Sequence, residues 1–429
     1  MKNGGSTDYT TIDEEGTPIE DPEKAKDHIA KYYEDLYHAR GSRPGYEEIT
    51  KAISEKVKEI ETSNTMKAPP APVTTKEVEE VIETLKNGKA PGPDNIPNEI
   101  FKKADKETIK VYTEVIENIN KSKEIPKQWQ KGKILRLYKG KGKRGKCSNE
   151  RGITKSSNMG KLYERIINNR VLKHVTISDD QAGGKKGSST SDHIALLNEA
   201  IHQARKMKKK VYITFLDVTK AYDKAWLDAI LYVLHKEGLE TPEWIIIKKL
   251  NENLTATIQT KHGETREINI TDSIRQGGVL SVIEYATLMD EISKEIKEKD
   301  LGIYIPSLEE KIGCLLWMDD ALLITTEPVE HQEMLDITDG VAGMYHVEFG
   351  DDKSKSMLQG SKKDRPTFHI GDMTLGQCEK YKYLGAIKND KNNMKDHIKA
   401  LKSKVEAAYQ TILAITGNRD LADMEMESI

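Results

Sequence analysis

Cysteine is scarce: the 429 residues hold three, Cys147, Cys314 and Cys378, far apart and without a C-x-x-C. That spacing supplies neither a disulfide framework nor a zinc site, so a reduced, intracellular setting is expected. Long apolar runs are missing too. No stretch approaches the roughly 20 residues that a membrane helix needs, and the opening MKNGGSTDYTTIDEEG has no hydrophobic centre for a signal peptide. Aromatic residues are only 6% and hydrophobic residues 36% of the chain, and mean hydropathy is −0.66, which fits a water-soluble protein. The length suits roughly two to four domains or subdomains. Nor is there a strong charge of one sign. A net charge of −3 does not announce a nucleic-acid binder, so any such affinity must come from local patches.

Among what is present, Lys311 to Thr326, KIGCLLWMDDALLITT, stands out. Two short apolar, β-compatible runs flank Met318-Asp319-Asp320, which predicts a hairpin of mostly buried strands. Adjacent carboxylates at such a tip repel each other and lose hydration, and a divalent cation is the usual compensation. An Asp-Asp turn is the plainer alternative. A second run, Val211 to Asp217 (VYITFLD), ends in one carboxylate and leads into the helical pattern Trp226, Ile230, Val233, Leu234. Open α/β sheets carry functional groups at such strand ends. Three carboxylates on neighbouring strand ends would suit a two-metal site for in-line displacement.

Along the chain, Ile29, Tyr32, Tyr33, Leu36 and Tyr37 mark one helical face whose partner surface is not evident. Asn64 to Pro72 is expected to be an extended linker. Thr74 and Glu77 form a capping box, with Val78, Val81, Ile82 and Leu85 buried and Gly88 as the stop. Lys89 to Pro97 is too rich in Pro and Gly for helix or central strand, and reads as a shaped loop, either a connector or a template guide. A helix is predicted over 106–122, with Trp129 in the core. Lys131 to Arg151 is the strongest basic tract, with Lys131, Lys133, Arg136, Lys139, Lys141, Lys143, Arg144, Lys146 and Arg151 against Glu150 alone. Its alternating then glycine-rich pattern predicts a hairpin with a cationic tip able to approach phosphate. Arg205 to Lys210 is a second cluster, split between solvation and nucleic-acid contact. Gln181 to Thr190 precedes a helix capped by Ser191 or Asp192. Strands are expected at 256–260 and 266–270. They lead to Arg275-Gln276-Gly277-Gly278, a turn above a helix N-terminus suited to phosphates or a template base.

Taken in order, KNGKAPGPDNIPNEI, NERGITK, FLDVTKAYD, IRQGGVLS, WMDD, the KSK of EFGDDKSKSM, and YKYLG resemble the reverse transcriptases of non-LTR retrotransposons, over about residues 25–400. The resemblance implies an α+β right-hand polymerase with an antiparallel palm sheet backed by helices. An N-terminal extension and linker would occupy 1–69, fingers 70–205, palm 206–388 and a partial thumb 389–429. It implies catalytic Asp217, Asp319 and Asp320, with Val218 among the metal-binding positions, and two Mg²⁺ ions for which Mn²⁺ could substitute. Lys139, Arg151, Tyr222, Gln276 and Lys353 match nucleotide-binding positions. Tyr222 would exclude a 2′-hydroxyl, and Lys353 would protonate pyrophosphate with Lys355 as rival. Lys141, Lys143, Arg144, Tyr383, Leu384 and Gly385 would contact nucleic acid. Implied partners are an RNA template, a DNA or RNA primer and dNTPs, with no membrane, in a nuclear or cytoplasmic retroelement ribonucleoprotein.

The sequence departs from the family at Trp317, Met318, Gly278-Val279, Val282 and Gly350, none of them a metal ligand. No endonuclease domain precedes residue 70 and few residues remain for a thumb, so a truncated module is expected. The principal expectation is an RNA-directed DNA polymerase. A catalytically inactive or co-opted nucleic-acid-binding remnant is the alternative, and a nucleotide cyclase, which also uses strand-end carboxylates, is a third reading.

Overall fold

Strand Val211–Asp217 is the centre of the molecule, and its sequence says why: every residue but the last is buried. A computed structural model describes residues 9–38, 42–66, 69–360 and 365–416 of the chain. In it the central sheet runs Gly376–Gln377, Lys355–Gln359, Val211–Asp217, Asp320–Thr325, Cys314–Trp317. Each adjacent pair among the last four strands is antiparallel, and the Gly376–Gln377 edge is parallel to its neighbour. The architecture is mixed α/β.

Alternation along the strands feeds two cores. Val211, Ile213, Phe215, Leu322 and Ile324 pack with Leu197, Ala200, Ile201 and Ala204 of helix Thr190–Lys206. Tyr212, Leu216, Ala321 and Leu323 face the other way, into a core with helices Leu227–Lys236, Ser281–Glu298 and Pro328–Met344. Helices cover both faces, so an uninterrupted apolar strand is what the sheet requires.

A second sheet joins Lys131–Tyr138, Glu150–Lys155, Leu254–Thr260, Gly263–Glu264 and Ile268–Ile270. Helix Pro22–Leu36 lies on it and supplies the partner surface that its periodicity left open. Ile29, Ala30, Tyr33, Leu36 and Tyr37 pack with Ile134, Leu254, Ala256, Ile258, Ile268 and Ile270.

Two local expectations change, and a third is given its anchor. Helix Glu47–Met66 continues through Asn64, so the linker begins later, and its Lys67 and Ala68 lie outside the described residues. The stretch beyond is pinned, since Arg170 donates to the carbonyls of Ala71 at 2.7 Å and Pro72 at 3.1 Å. The Thr74 capping box forms, but its helix ends at Thr84, before Gly88, with Lys102 donating to the Leu85 carbonyl. The Pro/Gly loop is anchored on a helix N-terminus. Asp94 accepts from Ser157 Oγ and from the N–H of Asn158, both at 2.7 Å, at the start of helix Asn158–Val171. The helix over 106–122 and the burial of Trp129 are as the sequence predicts.

One buried group makes the second core acid-sensitive. His331 has no exposed surface, and its Nε2 lies 2.7 Å from Thr214 Oγ1. Burial pushes its pKa down to about 3. A depressed histidine stabilises the fold above its unfolded pKa of about 6.5, and this is lost as pH falls toward the folded value, by about 1.4 kcal/mol per unit. Urea titrations at pH 7 and pH 4.5 are expected to show a smaller acid loss for His331→Gln than for the wild type. Equal losses would remove His331 as the cause.

Candidate active site

The hairpin predicted at 311–326 forms with the tightest loop available. Trp317 pairs with Asp320, leaving only Met318 and Asp319 between the strands. Met318 has φ +59°, the positive value that two-residue hairpin turns demand and side chains other than Gly rarely adopt. On the other side, Asp320 pairs directly with Asp217. The adjacent pair Asp319-Asp320 and the sequence-distant Asp217 are therefore brought to one end of the same two strands.

Their environment is unfavourable for negative charge. Burial, and then repulsion from Asp217, raises the Asp319 carboxyl above its ordinary range. Burial, Asp319 and Asp217 together push Asp320 up to about 6. Lys353 offsets part of this, its Nζ lying 2.7 Å from Asp217 Oδ2. The segment carrying Lys353 is tied to the strand end. Thr219 N–H donates to the Glu348 carbonyl at 2.8 Å, and Gly350 N–H to the Asp217 carbonyl at 2.9 Å. Val218, opposite Phe349, has these bonds on either side of it. Lys355, the rival lysine, instead donates to the Asp351 carbonyl at 3.0 Å.

Beside the carboxylates lies a cavity of about 470 Å³. Asp217, Val218 and Asp319 line it together with Lys139, Arg151, Tyr222, Gln276 and Lys353. Burial pulls the Lys139 ammonium below its ordinary range, while Asp223 pulls it back up. Tyr222 is stacked on buried Tyr285, with centroids 5.2 Å apart at 22°. Gln276 receives the Thr154 N–H at its carbonyl, 3.0 Å away, and its side-chain Oε1 is buried with no hydrogen-bond partner. An unsatisfied buried amide beside cations and carboxylates is a place where a ligand would complete the hydrogen bonding.

Other expected site residues fall elsewhere. Arg275 does not face the cavity. Its guanidinium is buried, bonded to Glu164 at 2.8 Å and to the carbonyls of Trp129 and Leu250. It shapes the turn, as the family resemblance implies for Arg275 beside Gly277. The basic tract is more neutralised than its sequence implies. Lys131, Lys133 and Lys146 pair with Glu267, Glu264 and Glu14, and Arg136 with Glu150 in a fully buried bridge. Lys141 and Lys143 are exposed. Arg144 is exposed too, but its guanidinium lies 5.3 Å from the ring centroids of both Tyr9 and Tyr138. In the second cluster Lys209 pairs with Glu327 and Arg205 donates to the Lys391 carbonyl.

Strands Lys380–Tyr383 and Ala386–Asn389 form a hairpin whose turn residues, Leu384 (φ +44°) and Gly385 (φ +87°), both have positive φ. The Tyr383 ring is 2% exposed, packed 5.6 Å from Phe215, so it presents no face to a nucleic acid.

Sequence reasoning passed over Asp223. Its carboxyl is raised to about 6 by burial, held down in part by Lys220, Lys139 and Arg151, and hydrogen-bonded to Tyr37. Its charge acts on the cations Lys220, Lys139 and Arg151, and its bond to Tyr37 reaches the end of helix Pro22–Leu36. The Tyr-Asp pair was visible, but the partners lie far away in sequence, so no local signal gave its role. Among the described residues no three His, Cys, Asp or Glu side chains converge as a ready-made metal cage. The carboxylates nevertheless suit Mg²⁺, which takes one or two carboxylates and completes its shell with substrate phosphates and water.

Strand-end carboxylates thus face a cavity walled by Lys139, Arg151 and Lys353. Residues 139–387 match the model of the family described as reverse transcriptase (RNA-dependent DNA polymerase). Over 241 residues, 55% of this chain and 26% of the relative, the chain is 27% identical to the probable RNA-directed DNA polymerase from transposon BS of Drosophila melanogaster. Over 358 residues, 80% and 38% of the two chains, it is 25% identical to that from transposon X-element of the same species. Over 366 residues, 83% and 39%, it is 23% identical to the RNA-directed DNA polymerase from mobile element jockey. The chain belongs to the reverse transcriptase family, in the company of transposon polymerases that its motif order implies. It spans less than two fifths of the length of each of these relatives. No described helix is long and apolar enough to cross a membrane.

Proposed function

We propose that this chain is the polymerase core of an RNA-directed DNA polymerase, extending a DNA or RNA primer with dNTPs on an RNA template. The observation that carries this reading is the cross-strand pairing of Asp217 with Asp320, with Asp319 at the tip beside the cation-lined cavity. The central sheet is then a palm, taken as 206–388, with fingers at 70–205 and the start of a thumb from 389. Helix Lys395–Thr416 would begin that thumb, and residues 417–429 lie outside the described residues.

In the proposed reaction the primer 3′-oxygen bonds to the α-phosphorus, the bond to the β-phosphate bridge breaks, and pyrophosphate leaves. Asp217, Asp319, Asp320 and the Val218 carbonyl would hold two Mg²⁺, with Mn²⁺ as substitute. What the ions supply when bound is activation of the 3′-hydroxyl and neutralisation of the triphosphate. Lys139 and Arg151 place positive charge along the cavity wall for the phosphates. Gln276 offers its unsatisfied amide to the nucleotide. Lys353, released from Asp217 as substrate arrives, is positioned to give a proton to the leaving pyrophosphate. Lys141, Lys143 and the Leu384-Gly385 turn are proposed contacts for template and primer.

Primer extension on an RNA template with Mg²⁺ tests the reading. Product from the wild type and none from Asp319→Asn supports it. No product from the wild type, with primer–template binding intact, overturns it in favour of a binding protein.

Tyr222 gives a separate prediction. Its ring borders the cavity, so Tyr222→Ala is expected to relax discrimination against ribonucleotides by at least about tenfold, the scale of a steric pocket change. Competition between dNTP and rNTP on one template measures it. Unchanged discrimination would leave Tyr222 with packing against Tyr285 alone.

A further inference from the structure

The carboxylate tip rests on a loop to which none of the chemistry above assigns a part. Residues 180–183 run beside strand Cys314–Trp317 and join it. Leu316 N–H donates to the Asp180 carbonyl at 2.8 Å, and the Leu316 carbonyl accepts from Ala182 N–H at 3.0 Å. A parallel bridge links Gln181 to Leu316. This brings Gln181, which has no exposed surface, against the tip. Its side-chain Oε1 accepts the N–H of Met318 and that of Gly183, each at 3.0 Å. Its Nε2 is turned to the Met318 carbonyl at 3.5 Å. One side-chain amide thus addresses both polar groups of the residue immediately before Asp319.

Met318 is also the strained residue of the turn. A long side chain at φ +59° persists only where its surroundings over-determine the conformation. The loop is shaped for this close approach. A Cβ on Gly183 would lie 2.3 Å from Met318 N, and one on Gly184, at φ +75°, would lie 2.2 Å from Val282 Cγ1. Buried amides that spend their hydrogen bonds on a strained backbone act on geometry, because without them the buried N–H is left unsatisfied and the turn shifts to find another partner.

We infer that Gln181 is a positioning residue: its side-chain amide holds Met318 in the left-handed turn that presents Asp319 to the cavity. The inference rests on the polymerase reading for its catalytic consequence, though the grip itself does not. A displacement of about 1 Å at a reacting group costs about a hundredfold in rate. Gln181→Leu keeps the side chain's bulk and removes its hydrogen bonds.

Steady-state primer extension should therefore show kcat falling about a hundredfold. The KM for dNTP and the Kd for primer–template should stay within about threefold, because the substrate contacts are untouched. Glycine takes positive φ without strain. In a Met318→Gly background the same Gln181→Leu change is expected to cost less than about tenfold, a coupling that a double-mutant cycle reads directly. Amide exchange at Met318 gives a readout free of activity: its N–H, protected in the wild type, should exchange faster in Gln181→Leu.

Equal losses in the two backgrounds would overturn the inference, as would unchanged Met318 exchange. So would a fall in binding matching the fall in turnover, or a Gln181→Leu protein that melts far below wild type, since Gln181 would then be a core residue only. A wild type that makes no product defeats the polymerase reading instead, and the exchange measurement still decides the grip.

Discussion

Asp319→Asn is expected to lose primer extension by about a thousandfold or more, the scale for removing a member of a catalytic unit, while the metal-free protein becomes more stable. Both effects come from the same crowding. Asp319 and Asp320 have carboxyls raised by burial and by neighbouring carboxylates. A raised carboxyl is one whose ionised form the fold disfavours. Its penalty is absent below the unfolded value near pH 4, grows above it, and is fully present once pH exceeds the folded value, about 6 for Asp320. At pH 7.5 without divalent ions, a neutral amide at 319 relieves the repulsion and stabilises the fold. Melting with EDTA should place the variant above the wild type, and the gap should close as pH falls toward 4. A variant both inactive and less stable would mean that Asp319 is part of the tip's own architecture. Stability held back at a site that needs charge is the ordinary cost of function.

The second large effect lies away from the chemistry. Arg275→Met is expected to destabilise the fold by about 3–5 kcal/mol, because it leaves Glu164 as a buried, uncompensated charge. Glu164 would keep the Val279 N–H at 2.8 Å as a partner, but the carbonyls of Trp129 and Leu250 lose theirs. Against a typical stability of about 5–15 kcal/mol this is a large fraction. Urea unfolding should show a lower midpoint at unchanged slope. Arg275→Met with Glu164→Leu should recover part of the loss, since an ion pair replaced whole by apolar groups costs far less than one broken in half. If the single variant stays within about 1 kcal/mol of wild type, the network does not anchor the turn. Gln276 would then owe its place to its own bond from Thr154.

Much of the central sheet could be read from the chain. Val211–Asp217 and the two runs around Met318 are apolar enough to be buried on both faces, and only a helix-covered sheet buries strands so completely. Capping by Thr74 and Glu77, the helix at Lys106–Ser122 and the Pro22–Leu36 stripe were equally legible, because caps and periodicity are local. The motif order, not any one motif, carried the family, and the match over residues 139–387 agrees with it.

Charge was the least legible property. Nine basic residues between Lys131 and Arg151 look like one cationic surface in the sequence. Four of them are neutralised by Glu14, Glu150, Glu264 and Glu267, three of which sit on other segments. Tyr383 reads as a nucleic-acid contact and is interior, since its partner Phe215 comes from a distant element. Asp223 and Gln181 carry no local signal of their roles, which lie in Tyr37, Lys139 and Met318.

The sequence by itself determined which segments are buried strands, that the Thr74 capping box starts a helix, and that carboxylates end up at strand termini, because side-chain period and capping act within a few residues. Helix Thr190–Lys206 is nevertheless capped by Ser189 and not by Ser191 or Asp192. Tertiary structure alone decided that Asp217 faces Asp320, which cations line the cavity, and that an amide from residue 181 bonds the tip at 318. Hydrogen bonds and ion pairs form between whichever groups the packed backbone brings within about 3 Å, and sequence separation places no constraint on that.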